Sequence, residues 1–152
     1  MKRYKRYEAI LRPCGVRESE VDYEISCASE LYDFADRVIG MSDFLEERFY
    51  VVYINAKGKI VGFEEIAKGG ISMCPVEPQQ VFRGAILKGV PTIALLHNHP
   101  SGVPEPSLED QVLTRRLKKA GDILQIRVID HIVCGDNDYF SFAGNDLLEE
   151  RA

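Results

Sequence analysis

No CxxC pair occurs among the four cysteines, Cys14, Cys27, Cys74 and Cys134. Such spacing points to neither a disulfide framework nor a cysteine-based zinc site, and the expectation is reduced, mostly buried thiols. No apolar run approaches the roughly 20 residues that a membrane span needs, and the charged start, followed by Glu8 and Arg12, lacks a secretory apolar core. The expected compartment is therefore the cytoplasm, with no membrane partner. Positive charge is also scarce: 19 Lys and Arg against 24 Asp and Glu leave a net charge of −5. That excludes a surface built as a whole to hold nucleic acid or an anionic membrane. One basic cluster, Lys2, Arg3, Lys5 and Arg6 interleaved with Tyr4 and Tyr7, could touch phosphates. A solvated terminus is the ordinary fate of such a segment, so it supports at most a weak nucleic-acid association.

Internal repeats and low-complexity linkers are absent as well. A chain of 152 residues with 45% hydrophobic content has enough apolar surface for one core and is too short for two ordinary domains. From Ser29, read as an N-cap, the apolar positions Leu31, Phe34, Ala35, Val38 and Ile39 recur at helical spacing until Gly40. Residues 49–54 and 59–66 are β-branched and aromatic runs around Asn55-Ala56-Lys57-Gly58, which predicts a hairpin. Pro78 opens a helix with Val81, Phe82, Ala85, Ile86 and Leu87 on its apolar face, closed by Gly89. Residues 90–96 are apolar enough for a strand buried on both faces. After the Pro- and Gly-rich residues 100–106, a third helix begins at Ser107, carries Val112, Leu113, Leu117 and Ala120 inward, and ends at Gly121. A long strand over residues 123–134 and a short one over 139–142 complete the pattern. The prediction is a single α/β domain, a mixed sheet flanked by helices.

The chemistry concentrates in residues 97–110. His97 and His99 lie two apart at the end of the buried strand, so both imidazoles face the same side, about 6–7 Å apart at the backbone. Two such imidazoles need a carboxylate from another element to complete the three protein ligands of a catalytic zinc site, and Asp110 in the first turn of the next helix is placed to supply it. Prolines in the connection lower the entropy cost of ordering that ligand. Glu47, at the start of the hairpin's first strand, is the candidate base for a water activated by the metal. The Ser107 hydroxyl is the candidate donor to a developing oxyanion. Ser107 with Asp110 three residues on also fits a capping box, and the two roles are compatible. His131, after Asp130 in the long strand, suits support of a ligand better than ligation. The tripeptide His97-Asn98-His99 is not an HNH nuclease motif, whose three residues lie far apart in sequence.

Together these residues resemble the JAMM (MPN-plus) zinc-hydrolase motif: Glu47, then His97-x-His99, seven residues, Ser107 and Asp110. Within that superfamily the chain is most similar to the RadC-like JAB domain, on the stretches His97-Asn98-His99-Pro100-Ser101-Gly102, Pro106-Ser107-Leu108-Glu109-Asp110, Ala120-Gly121 and Asp130-His131-Ile132-Val133. The similarity runs from about Glu47 to Phe142. It implies a JAB/cytidine-deaminase-like α/β sandwich over residues 41–152, with residues 1–40 as an extension carrying a helix packed on it. It also implies zinc at His97, His99 and Asp110, Glu47 acting through water, Ser107 steadying a tetrahedral intermediate, and a peptide or protein substrate cleaved at a peptide or isopeptide bond. The alternative is a DNA-repair-associated role without peptidase activity. Residues 1–40 are too short, and lack the Gly-rich hairpins, for the helix-hairpin-helix region that often precedes the domain. Gln79 and Gln80 stand where the family tends to have an arginine and an acid.

Overall fold

The computed structural model describes residues 1–69 and 75–149. Residues 1–22 are exposed and carry no helix or strand. The regular elements are α1 (Ala28–Phe34), which continues as a π-turn over Ala35–Ile39, β1 (Arg48–Ile54), β2 (Ile60–Lys68), α2 (Pro78–Lys88), β3 (Thr92–Asn98), α3 (Leu108–Leu124), β4 (Arg127–Cys134) and β5 (Tyr139–Ser141). The strands form one five-stranded sheet in the order β2-β1-β3-β4-β5. β3 and β4 run parallel, joined by α3 as the crossover, and the other neighbours are antiparallel. This is the mixed sheet flanked by helices that the sequence predicts.

Alternation along the strands divides the core in two. Phe49, Val51 and Tyr53 of β1 join Ile93 and Leu95 of β3 under Val81, Phe82 and Ala85 of α2 and Leu113 and Leu117 of α3. Tyr50, Val52 and Ile54 join Ala94 and Leu96 on the other face, under Leu31 and Phe34 of α1. β4 interrupts the rule. Three steps from Val128 to His131 match two steps from Ile93 to Leu95, so β4 holds one extra residue, a β-bulge. Since successive residues of a strand point to opposite faces, the bulge turns His131 to the side it would otherwise avoid.

Several boundaries differ from the sequence prediction, each for a local reason. Cys27, not Ser29, caps α1, because the Glu30 carboxylate reaches back to the backbone N–H groups of Ser26 and Cys27. α3 does not stop at Gly121. A Cβ there would lie 2.5 Å from the carbonyl oxygen of Ile126, so this glycine permits close packing, while Gln125, at φ 58°, takes the left-handed cap. Ile123 and Leu124 consequently belong to the helix and are exposed, and the strand starts at Arg127. The buried stripe of α3 is Asp110, Leu113, Thr114, Leu117 and Gly121, which leaves Val112 outside at 58% exposure. In α2, Ile86 and Leu87 are likewise exposed. Of the thiols, Cys134 is buried but Cys14 and Cys27 are exposed, one in the N-terminal segment and one at the helix cap. Cys74 lies outside the described residues. No described helix is long and apolar enough to cross a membrane.

Candidate metal centre

The C-terminal end of β3 places His97 and His99 where α3 begins. His97 is fully buried, stacked beside Phe49 at 6.0 Å between ring centroids, and His99 is mostly covered. Their Nε2 atoms lie 3.0 Å apart. Asp110, 2% exposed, directs one carboxylate oxygen to within 3.4 Å of His97 Nε2 and the other to within 3.2 Å of His99 Nε2. In tetrahedral coordination with bonds near 2.0–2.1 Å, ligand atoms stand about 3.3 Å from one another. The two nitrogens stand near one such edge, and each has a different Asp110 oxygen at a comparable distance. Glu47 stands farther off, 3.7 Å from His97 Nε2 and 4.0 Å from His99 Nε2, with 29% of its side chain open to solvent. One donor atom from each of Glu47, His97, His99 and Asp110 fits within 4.8 Å of all the others, so the four could hold a metal ion.

Local structure explains why these groups hold their positions. Ser107 caps α3: its hydroxyl oxygen accepts the Asp110 N–H at 3.0 Å, and its own N–H donates to the Asp110 carboxylate at 2.8 Å. The capping box therefore orients the carboxylate as well as starting the helix. His99 pairs through Nδ1 with the Val103 carbonyl oxygen at 2.9 Å. Since a carbonyl only accepts, Nδ1 carries a proton, which leaves Nε2 as the atom that meets Asp110. The connecting loop rests on the turn after β4. Asp136 N–H donates to the Gly102 carbonyl, and a Cβ on Gly135 would lie 2.5 Å from that same oxygen and 2.8 Å from Pro104 Cδ. Only a glycine lets the loop lie so close.

Electrostatics follow from burial and partners. Burial alone pushes the Asp110 carboxyl up, but its bonds to His97 and His99 outweigh that and hold it well below the usual carboxylate range. The bond to Asp110 likewise raises the His99 imidazole above its usual value. Burial drives His131 well down, which keeps that ring neutral. A buried carboxylate is costly unless positive charge accompanies it, supplied here by a protonated imidazole or by a bound cation in its place. The chemistry of the donor set, two imidazole nitrogens with carboxylate oxygens, suits zinc and other first-row divalent ions.

All five residues nominated from the sequence, Glu47, His97, His99, Ser107 and Asp110, meet at this end of the sheet. Two contributors escaped sequence reasoning. Asn98 accepts the Arg48 N–H at 2.8 Å and donates to the Glu46 carbonyl at 3.1 Å, clamping the backbone on both sides of Glu47. Thr114, fully buried, bonds both the Asp110 carbonyl and His131. The available signals were a polar residue inside an apolar strand end and a hydroxyl one helical turn after Asp110. His131, favoured from the sequence as a supporting residue, lies 2.7 Å from His97 Nδ1 and outside the four-residue cluster.

Comparison with known proteins extends the same pattern beyond the site. Residues 25–147 match the family model for the RadC-like JAB domain, a span that takes in α1 as well as the whole sheet. A UPF0758 protein of Chlorobaculum parvum is 34% identical over 128 residues, 84% of this chain and 57% of that protein. A UPF0758 protein of Trichlorobacter lovleyi is 36% identical over 132 residues, 87% of this chain and 56% of that protein. Another from Caldanaerobacter subterraneus is 47% identical over 91 residues, 60% of this chain and 39% of that protein. The chain thus spans about half the length of the curated relatives it matches. With the family match running from before α1 to beyond β5 and taking in a side-chain cluster that could hold a metal ion, the chain belongs to the RadC-like JAB domain family.

Proposed function

We propose that this domain is a zinc-dependent hydrolase that cleaves an amide bond, peptide or isopeptide. The observation that carries the proposal is the convergence of His97 Nε2, His99 Nε2 and the Asp110 carboxylate at separations of 3.0–3.4 Å, with Glu47 set back beside them. A zinc ion held by those three residues would supply Lewis acidity, polarising a carbonyl and lowering the pKa of a water to about 7.

The chain's own residues account for the remaining steps. Glu47, 3.7 Å from His97 Nε2 and 4.0 Å from His99 Nε2 and partly open to solvent, receives the proton of the attacking water and passes it to the leaving amine nitrogen. Asn98 keeps the Glu47 backbone in register with β3. The Ser107 oxygen already accepts the Asp110 N–H, which leaves its hydroxyl proton to donate to the oxygen of the tetrahedral intermediate. His97 and Asp110 are buried, while His99 and Glu47 are partly exposed, so among the described residues the ligand-bearing side chains meet solvent at His99 and Glu47.

Glu47→Gln separates binding from turnover. Against a panel of peptide and isopeptide-linked substrates, the variant is expected to keep its zinc, as read by metal analysis, and to lose about 10²–10⁴ in rate. Equal rates for the variant and the wild type would contradict the role assigned to Glu47.

A further inference from the structure

Behind the metal-ligand cluster, four buried polar groups form a chain whose proton positions can be counted. Thr114 Oγ1 lies 2.7 Å from the Asp110 carbonyl oxygen, one helical turn back, and 2.6 Å from His131 Nδ1. A hydroxyl has one proton and a carbonyl oxygen only accepts, so the hydroxyl donates to Asp110 and must accept from His131 Nδ1–H. Fully buried between Phe49 and Phe142, with the Thr114 hydroxyl and His97 as its hydrogen-bond partners, the His131 ring holds one proton, so its Nε2 is bare. That atom lies 2.7 Å from His97 Nδ1, which must therefore carry a proton and donate it. With its proton on Nδ1, the neutral His97 ring has one tautomer, in which the lone pair sits on Nε2 and faces His99 and Asp110.

We infer that Thr114 and His131 are positioning residues, a hydrogen-bond relay that fixes His97 in the one tautomer able to offer Nε2 to a cation and ties that ligand to the helix bearing Asp110. The inference rests on the metal-site reading above and adds the residues that prepare it. Three features of the fold serve the relay. The β4 bulge turns His131 toward α3 and away from the α1 face. Phe142 stacks on His131 at 4.8 Å between centroids and 10° between planes, and Phe49 meets it edge-on at 5.5 Å, so the ring is held between two aromatic neighbours. Asp130 pins the corner that brings Phe142 there, accepting the backbone N–H groups of His131 and Ala143 and the Ser141 hydroxyl. Zinc-binding histidines more commonly donate their second N–H to a carboxylate, a backbone carbonyl or water. Here a neutral imidazole takes that place, with its own proton position set by a threonine.

Nitrogen-15 NMR of the metal-free protein reads histidine tautomers directly. The wild type and Thr114→Ser are expected to show Nδ1–H at both His97 and His131. In Thr114→Val the Nδ1–H of His131 loses its acceptor. The ring is then expected to shift its proton to Nε2, donate to His97 Nδ1 and move the His97 proton onto Nε2, where a metal must bind. Zinc affinity, measured by competition with a chromophoric chelator, is expected to fall about 10–100-fold in Thr114→Val and to be restored in Thr114→Ser. A wild-type His131 protonated on Nε2, or a folded Thr114→Val with wild-type tautomers and zinc affinity, would overturn the relay. Should Thr114→Val fail to fold, the wild-type tautomers decide the matter alone. A wild type that takes up no zinc would count against the hydrolase proposal, while the metal-free tautomers would still test the relay.

Discussion

The face of the sheet that packs against α1 and the face that packs against α2 and α3 are built from the same strands by the same alternation, yet they bury different things. Leu31 and Phe34 of α1, with Ile39 and Met41 after it, cover Val52, Leu96 and Ile132 of the sheet, a continuous apolar layer. Under α3 the apolar layer of Val51, Leu95, Leu113 and Leu117 gives way, at the C-terminal end of β3, to His97, His131, Thr114 and Asp110, all 2% exposed or less. Apolar burial is non-directional and scales with area, so the first face needs only the right volume. The polar cluster depends on each donor meeting an acceptor, and one misplaced group leaves a buried polar atom unsatisfied. The same scaffold thus carries a region selected by size beside a region selected by hydrogen-bond geometry.

That contrast breaks down if the two regions cannot be perturbed separately. Leu31→Ala, a deep truncation under α1, is expected to lower stability by about 2–5 kcal/mol in a denaturant melt. It is expected to leave the zinc affinity of the folded molecules unchanged. A parallel loss of zinc affinity would show that the apolar face also shapes the site. Gly135→Ala acts on the other side of the comparison and is the milder change. Its Cβ would meet the backbone of the loop between β3 and α3, so a stability loss of about 1–3 kcal/mol is expected. Because that loop carries His99 at one end and Ser107 at the other, zinc affinity is expected to fall with it. An unchanged affinity would mean that the loop does not brace the site.

Legibility in the sequence followed the same division. Periodicity and turn residues located every major element, since apolar spacing records which side of a helix or strand is covered. The candidate site was readable because Glu47, His97, His99, Ser107 and Asp110 stand at the spacing of the JAMM motif and their residue types suit a metal centre. Errors arose where a long-range contact decided the outcome. Gly121 resembles a helix stop but is small because Ile126 and Phe82 press on it, and Val112 fits a stripe that α3 turns outward. The role of Thr114 depends on the β4 bulge, which depends in turn on pairing with β3, and no local pattern announces it. Asn98 was hidden for a similar reason, because its partners lie about 50 positions upstream, on the segment leading into β1.

Zinc titration of the metal-free protein, followed calorimetrically beside Asp110→Asn, tests the central claim most directly. One equivalent per chain is expected for the wild type, with affinity reduced about 100-fold or more in the variant, at least the upper end of what a supporting residue costs. Uptake far below one equivalent in the wild type, or equal affinity in the two proteins, would contradict a metal centre built on His97, His99 and Asp110.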